Sequence, residues 1–194
     1  MPAVRAVLSR MARFSASVRS GSWRGFRDTP ISNVVNIGIG GCDLGPLMIC
    51  DALRDHADAR IPTHFVSNID ATHLARTLDE LDPATTLFLV ASKSFNTRET
   101  LTNARTARQW IVDAGGVEAI DKHFVAVSAN PDRAISFGIS EANVFPFWDW
   151  VGGRYSIWSA VGVPVAIGLG FSRLEALHRG AANMDAHFRE APLE

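Results

Sequence analysis

Three hydroxyl side chains and a lysine lie close together at residues 92–97. They belong to the segment of residues 91–100, here called the hydroxyl loop, which reads Ala-Ser-Lys-Ser-Phe-Asn-Thr-Arg-Glu-Thr. An apolar run precedes this loop and a long helical pattern begins within it. The hydroxyls of Ser92, Ser94 and Thr97 should therefore face the unpaired N–H groups of a helix N-terminus. Such a cradle suits a phosphate monoester, which is doubly charged and rich in acceptor oxygens. Lys93 would add a cation or make only a structural contact.

The start of that helix is indicated by Asn96 and Glu99, which have the spacing of a capping box. We expect the helix to begin near Asn96 and Thr97. A hydroxyl-rich helix cap that binds nothing is the alternative. One cap needs only one such side chain, so the surplus of hydroxyls favours a ligand.

A second loop, residues 38–46, reads Gly-Ile-Gly-Gly-Cys-Asp-Leu-Gly-Pro and is called the glycine loop. Glycines let a backbone approach a ligand and expose N–H groups to an anion, and Pro46 suits the first turn of a helix. A dinucleotide fingerprint would need glycine at position 43, where Asp43 would repel a pyrophosphate. No Gly-Lys-Ser/Thr follows, which excludes a P-loop. A tight turn without a ligand is the alternative.

The third loop, residues 147–156, reads Phe-Trp-Asp-Trp-Val-Gly-Gly-Arg-Tyr-Ser and is called the arginine loop. Its aromatic residues suit packing better than stacking on a ligand. Arg154 follows two glycines and precedes a helical pattern, so its guanidinium could stabilise an oxyanion developing on a substrate. An ion pair between Arg154 and Asp149 is the alternative.

Beyond Pro30, short apolar runs alternate with helical patterns. The predicted strands are residues 34–39, 63–67, 86–91, 123–128 and 143–148, and the predicted helices are residues 44–56, 71–81, 97–114, 131–138, 156–168 and 172–188. This alternation predicts an α/β fold, a three-layer sandwich in which helices cover both faces of a five-stranded parallel sheet. Ligands of such sheets bind at the carboxyl ends of the strands, where the loops lie.

Composition narrows the class of protein. A formal net charge of −1 gives no field for nucleic acid or an anionic membrane, and no apolar run is long enough to span a bilayer. Two cysteines without metal-ligand spacing predict neither a disulfide framework nor a metal site, which fits the cytoplasm. Residues 1–27 are rich in arginine and free of acidic residues, as in a transit peptide. The same residues also have the apolar spacing of an amphipathic surface helix.

The three loops, in this order, resemble those of the glucose-6-phosphate isomerase family, from about Met11 to Glu194. The resemblance implies the first of two sugar-isomerase (SIS) domains with a flavodoxin-like sheet. It predicts a lead-in at residues 1–30, the phosphosugar-binding domain at residues 31–168, and a helix at residues 169–194 leading to a second domain. Family roles would then fall on Gly41, Cys42, Ser92, Lys93, Ser94, Thr97 and Gly153 for substrate binding, and on Arg154 for stabilising the enediolate.

Three positions depart from the usual pattern of the family. Cys42 and Ser94 replace serine and threonine, and Asn96 replaces threonine. The thiol of Cys42 would make a weaker hydrogen bond to the sugar than a hydroxyl.

The resemblance also implies residues that this chain does not contain. The family's glutamate base, ring-opening histidine and a lysine would lie after Glu194, and none of the six histidines matches the catalytic one. We therefore expect a fragment of a cytoplasmic, homodimeric enzyme that interconverts glucose 6-phosphate and fructose 6-phosphate without a cofactor. The fragment alone should bind hexose 6-phosphate but not catalyse. A stand-alone phosphosugar-binding or sensor module is the alternative.

Overall fold

The computed structural model describes residues 2–192, and its centre is one parallel sheet in the order β2-β1-β3-β4-β5. The strands are β1 (Asn33–Ile37), β2 (Thr63–Val66), β3 (Thr86–Ala91), β4 (Phe124–Ser128) and β5 (Val144–Pro146). The helices are α1 (Pro2–Arg19), α2 (Gly41–Ala52), α3 (Ala71–Asp79), α4 (Arg98–Gly115), α5 (Ile120–His123), α6 (Pro131–Ser136), α7 (Val163–Gly168) and α8 (Phe171–Glu190). The predicted fold class is confirmed.

The central strand β3 has all six residues buried, and it pairs with β1 and β4. Because side chains alternate along a strand, β3 supplies both faces of the sheet. Leu87 and Leu89 pack towards α1, α2 and α7, whereas Phe88 and Val90 pack towards α3, α4 and α6. Two apolar cores therefore hold the carboxyl ends of the strands in a fixed arrangement.

Helix α1 is amphipathic, as the spacing of its apolar residues predicts. Val7, Met11, Phe14 and Val18 are buried in the core that α2 and α7 share with the sheet. Arg19 donates a hydrogen bond to the Ile167 carbonyl at 2.7 Å, at the end of α7. The lead-in is thus part of the same core, and the domain boundaries at residues 30 and 168 stay a prediction. Met1, Leu193 and Glu194 lie outside the described residues.

One predicted helix is wrong in its extent. Residues 156–168 do not form a single helix but two 3-10 helices, Gly153–Trp158 and Ala160–Gly162, followed by α7. Ser159 interrupts them in an extended conformation, and its hydroxyl accepts a hydrogen bond from the Val161 N–H. Pro164 lies in the first turn of α7, where its missing N–H costs no hydrogen bond within the helix. Further 3-10 helices are Arg54–His56, Pro83–Thr85, Val117–Ala119 and Glu141–Asn143.

In the part of the chain that the structure describes, no helix is both long and apolar enough to cross a membrane.

Candidate functional site

The three loops meet at the carboxyl ends of the strands around a cavity of about 190 Å³. Its walls are formed by Ile39, Gly41, Cys42, Ala91, Ser92, Lys93, Thr97, Thr100, Phe147, Gly152, Gly153 and Ser156. Six of the eight predicted site residues are therefore brought together by the fold. Ser94 and Arg154 are the two that do not line the cavity.

The glycine loop and the arginine loop touch through their backbones. A Cβ atom added to Gly41 would lie 2.0 Å from the Gly153 carbonyl oxygen, so only glycine fits at position 41. Gly153 has a φ of 58°, in the left-handed region that favours glycine, and its carbonyl accepts a hydrogen bond from the Ser156 hydroxyl at 2.7 Å. This close backbone contact gives Gly41 a packing role beside any contact with a ligand.

The hydroxyl loop turns sharply at Phe95, whose φ of 48° is uncommon for a residue with a side chain. The ring of Phe95 is 2% exposed and packs edge-on against Phe137, with 5.9 Å between ring centroids. The turn brings the Ser92 and Thr97 hydroxyl oxygens within 3.1 Å of each other. Burial of the Phe95 ring therefore stabilises a backbone shape that pairs two of the predicted hydroxyls.

The carbonyl groups of this loop are used by neighbouring elements. The Lys93 carbonyl accepts hydrogen bonds from the Ala129 N–H at 3.0 Å and the Ser128 hydroxyl at 3.1 Å. The Ser94 carbonyl accepts one from the Arg133 guanidinium at 3.0 Å. These bonds tie the loop to the end of β4 and to α6 and turn its acceptors away from the cavity.

Several N–H donors of the hydroxyl loop, in contrast, are left open. Within residues 2–192, the N–H groups of Ser94, Asn96 and Thr97 have no acceptor. The first N–H groups of α4, at residues 98–100, have no partner within the helix because no preceding turn exists. Open donors and the positive end of an 18-residue helix favour an anion at this end of the cavity.

The predicted capping box is not formed. The N-cap residue of α4 is Thr97, and no side chain caps the helix. Asn96 instead accepts a hydrogen bond from Ser94, and both residues are exposed. The Thr97 hydroxyl faces Ser92 rather than its own helix, so the N-terminus of α4 is left free for a ligand.

For Lys93, the sequence left open whether the side chain adds a cation to the site or makes a structural contact, and the structure shows a structural contact. Its ammonium group donates a hydrogen bond to the Asp149 carbonyl at 2.6 Å, which joins the hydroxyl loop to the arginine loop. Next to Asp149, the rings of Trp148 and Trp150 are stacked at 5.4 Å. Lys93 thus holds the arginine loop against the hydroxyl loop.

Two acidic groups of the glycine loop have altered proton affinities. Burial raises the pKa of the Cys42 thiol to about 11, so the group is protonated and weakly nucleophilic at neutral pH. Asp43 is 2% exposed and does not line the cavity. Burial raises the pKa of its carboxyl, and a hydrogen bond accepted from the Ser67 side chain opposes the rise. The carboxylate that argued against a pyrophosphate is therefore turned into the protein.

Arg154 is exposed, one residue after Gly153 in the first 3-10 helix of the arginine loop. Among the described residues its guanidinium makes neither a hydrogen bond nor an ion pair, so the expected alternative of a pair with Asp149 is not formed. The role of Arg154 in the chemistry stays a prediction.

Thr100 and Ser156 were missed by reasoning from the sequence. Thr100 follows Thr97 by three residues on α4, so helical periodicity places both on one face of the helix, and this signal could have identified it. Ser156 becomes part of the wall only because the arginine loop folds back over the glycine loop.

Within the described chain, no group of three or more His, Cys, Asp or Glu residues could hold a metal ion.

A larger cavity of about 340 Å³ lies beside this site, and the two share Gly152. Its walls come mainly from α1 and from aromatic residues, including Trp148, Trp150, Tyr155 and Trp158. Such apolar walls do not suit a doubly charged phosphate, so the smaller cavity is the candidate site.

Comparison with known proteins agrees with this geometry. The model of the phosphoglucose isomerase family matches residues 1–194. The glucose-6-phosphate isomerase of Methylococcus capsulatus is 55% identical over 100% of this chain and 36% of its own length. Glucose-6-phosphate isomerase 1 of Thiobacillus denitrificans is 57% identical over 97% of this chain and 34% of its own length. The chain thus spans about a third of the length of the curated relatives it matches.

Solved structures give the same result. The crystal structure of a glucose-6-phosphate isomerase from Chlamydia trachomatis matches with a TM-score of 0.80 and 33% identity, over 94% of this chain and 33% of that one. A hypothetical protein from Thermus thermophilus matches with a TM-score of 0.72 and 26% identity, over 98% of this chain and 45% of that one.

Proposed function

This chain belongs to the phosphoglucose isomerase family, and from that premise we propose that it supplies the phosphate-binding part of a glucose-6-phosphate isomerase active site. The proposed substrates are glucose 6-phosphate and fructose 6-phosphate. The observation that supports this most directly is the small cavity that combines the paired Ser92 and Thr97 hydroxyls with the uncapped N-terminus of α4. A dianionic phosphate monoester fits the charge and the donors of that cavity.

The phosphate would act as a handle far from the reacting carbons. Isomerisation moves a proton between adjacent carbons through an enediolate, which needs a base and a group that stabilises the oxyanion. Binding energy from the phosphate can position the sugar for that step. In the proposed enzyme, Arg154 stabilises the enediolate, while the base comes from the part of the family's length that this chain does not cover.

The geometry of the arginine loop supports a position for Arg154 beyond the phosphate. The backbone contact between Gly41 and Gly153 and the bond from Lys93 to Asp149 hold this loop against both other loops. Arg154 is exposed and does not line the small cavity, so in the proposed complex its guanidinium would reach the sugar of the bound phosphate ester rather than the phosphate. A homodimeric full-length enzyme and a cytoplasmic location are further proposals that rest on the family.

Calorimetric titration of this chain with fructose 6-phosphate tests the proposal. Ser92→Ala combined with Thr97→Val should weaken binding at least about tenfold, because each hydroxyl lost removes a hydrogen bond to a charged group. Thr102→Val is the matched control, because the Thr102 hydroxyl is exposed and bonds the Arg98 carbonyl at 2.8 Å.

Free fructose and a nicotinamide nucleotide should bind no more than weakly, to the wild type and the double variant alike. An unchanged dissociation constant for fructose 6-phosphate in the double variant would refute the phosphate site. Tighter binding of the nicotinamide nucleotide than of the sugar phosphate would favour an oxidoreductase instead.

A further inference from the structure

The hydroxyl group of Thr100 is buried in the wall of the candidate site and has no hydrogen-bond partner. Thr100 is 1% exposed, and its Oγ1 finds neither donor nor acceptor among the described residues. It nevertheless lines the cavity together with Ser92 and Thr97. A buried hydroxyl without a partner lowers stability unless a bound molecule supplies the missing bond.

Other threonines of α4 show the partner that a helical hydroxyl usually finds. A helical threonine can donate its hydroxyl hydrogen to the carbonyl four residues earlier. Thr102 does so to Arg98 at 2.8 Å, and Thr106 does so to Thr102 at 3.2 Å, both on the same helix α4. Thr100 lies in the first turn and is buried, whereas Thr102 and Thr106 are exposed, and the residue four positions before it, Asn96, precedes the helix. Its hydroxyl is therefore left without a partner at the helix end, beside the cavity.

Thr100 is positioned to contact an anion that binds at the N-terminus of α4. It lies in the first turn of α4, three residues after the N-cap Thr97, and its own N–H is one of those without a partner in the helix. The Ser92 and Thr97 hydroxyls already share one hydrogen bond at 3.1 Å. Thr100 therefore offers a donor at this end of the cavity that no protein group uses.

We propose that Thr100 is a further substrate-binding residue, whose hydroxyl donates a hydrogen bond to a phosphoryl oxygen of the bound sugar phosphate. This inference rests on the proposed function and adds to it the last residue of the hydroxyl loop. The hydroxyl is kept unpaired in the free protein so that the phosphate meets a donor that needs no rearrangement.

The test compares Thr100→Val with wild type and with the matched control Thr102→Val, using calorimetry with fructose 6-phosphate and with inorganic phosphate. Thr100→Val should weaken binding of both by about 10- to 100-fold, because a hydrogen bond to an anion is lost. Its melting temperature in the absence of ligand should equal or exceed that of wild type, because a methyl group replaces an unpaired buried hydroxyl. Thr100→Ser should retain wild-type affinity.

The outcomes separate the two proposals. Wild-type affinity in Thr100→Val would overturn the role of Thr100 while leaving the phosphate site in place. If the wild type binds neither fructose 6-phosphate nor inorganic phosphate, the proposed function is overturned and this inference with it. If Thr100→Val does not fold, Thr100→Ala removes the same hydroxyl with a smaller side chain, and the same loss of affinity is expected.

Discussion

Replacing Gly41 by alanine tests whether the glycine loop and the arginine loop hold each other in place. The added Cβ would lie 2.0 Å from the Gly153 carbonyl oxygen, 2.7 Å from its carbonyl carbon and 3.2 Å from the Ser156 hydroxyl oxygen. Ordinary contacts between such atoms begin at about 3.4 Å. The two loops would have to separate by more than about 1 Å, and both nearest atoms are backbone atoms that cannot rotate away.

The size of the effect follows from this overlap. Forcing one extra methyl group into a packed region costs about 1–3 kcal/mol, which lowers the melting temperature of a chain this long by about 2–12 °C. The separation would also move Gly153 and Arg154 away from the hydroxyl loop. A displacement of about 1 Å in an active site can reduce the rate about 100-fold in a complete enzyme, and affinity for fructose 6-phosphate should fall in this chain.

The assay is thermal unfolding with and without fructose 6-phosphate, together with calorimetric titration. Gly180→Ala is the matched control, because a Cβ at Gly180 in α8 meets no atom within 4 Å. That variant should be more stable than wild type by up to about 1 kcal/mol, the usual gain from alanine in a helix, and should bind equally well. A Gly41→Ala protein that melts and binds like wild type would refute the contact between the loops.

Four further predictions concern chemistry and pH. Because burial raises the pKa of Cys42 to about 11, iodoacetamide should label this thiol slowly at neutral pH, and more slowly when fructose 6-phosphate is bound. Equal labelling rates with and without fructose 6-phosphate, measured by mass spectrometry, would remove Cys42 from the site. The chain alone should form no fructose 6-phosphate above a heat-treated control in a coupled assay, and robust turnover would place the base within it. In a full-length enzyme, Arg154→Ala should lower kcat more than it raises KM, and a pure KM effect would leave Arg154 only a binding role. Burial lowers the pKa of His123, so at a pH between its folded and unfolded pKa values the unfolded state binds more protons than the folded state. The free energy of unfolding should therefore be highest above about pH 6.5 and fall towards pH 5. Equal free energies of unfolding at pH 7.5 and pH 5.5 in denaturant titrations would contradict this.

The structure explains why His123 should resist protonation. Its Nδ1 lies 2.6 Å from the Thr86 carbonyl and its Nε2 accepts a hydrogen bond from the Phe26 N–H at 2.9 Å. Only a neutral ring with its hydrogen on Nδ1 satisfies both partners. A second proton on Nε2 would face another donor and release the segment before β1.

Several features of this protein could be predicted from local patterns alone. The buried run that becomes β3 and the periodicity of α4 depend on residues close together in the chain, so they indicated the correct elements and the parallel sheet. The hydroxyl loop could also be located, since a polar loop after a buried strand falls at the carboxyl edge of such a sheet.

The roles of particular side chains depended on which partners compete for them, whether close together or far apart in the chain. Asn96 has the type and spacing of a helix cap, yet Ser94 occupies its side chain and Thr97 is the N-cap residue. Lys93 has the type of a phosphate ligand, yet its ammonium group bonds the Asp149 carbonyl 56 residues later. Competing partners brought by the fold decide such cases.

The meeting of the three loops is what only the tertiary structure decided. Gly41 and Gly153 are separated by more than a hundred residues, and the arginine loop reaches back from β5 to α2, so no local pattern contains their contact. Helical periodicity places Thr100 on the same face as Thr97, but the lack of a partner for its hydroxyl follows only from the tertiary structure. Sequence periodicity determines which elements form and where their loops lie, whereas the packing of distant loops determines which donors stay free for a ligand.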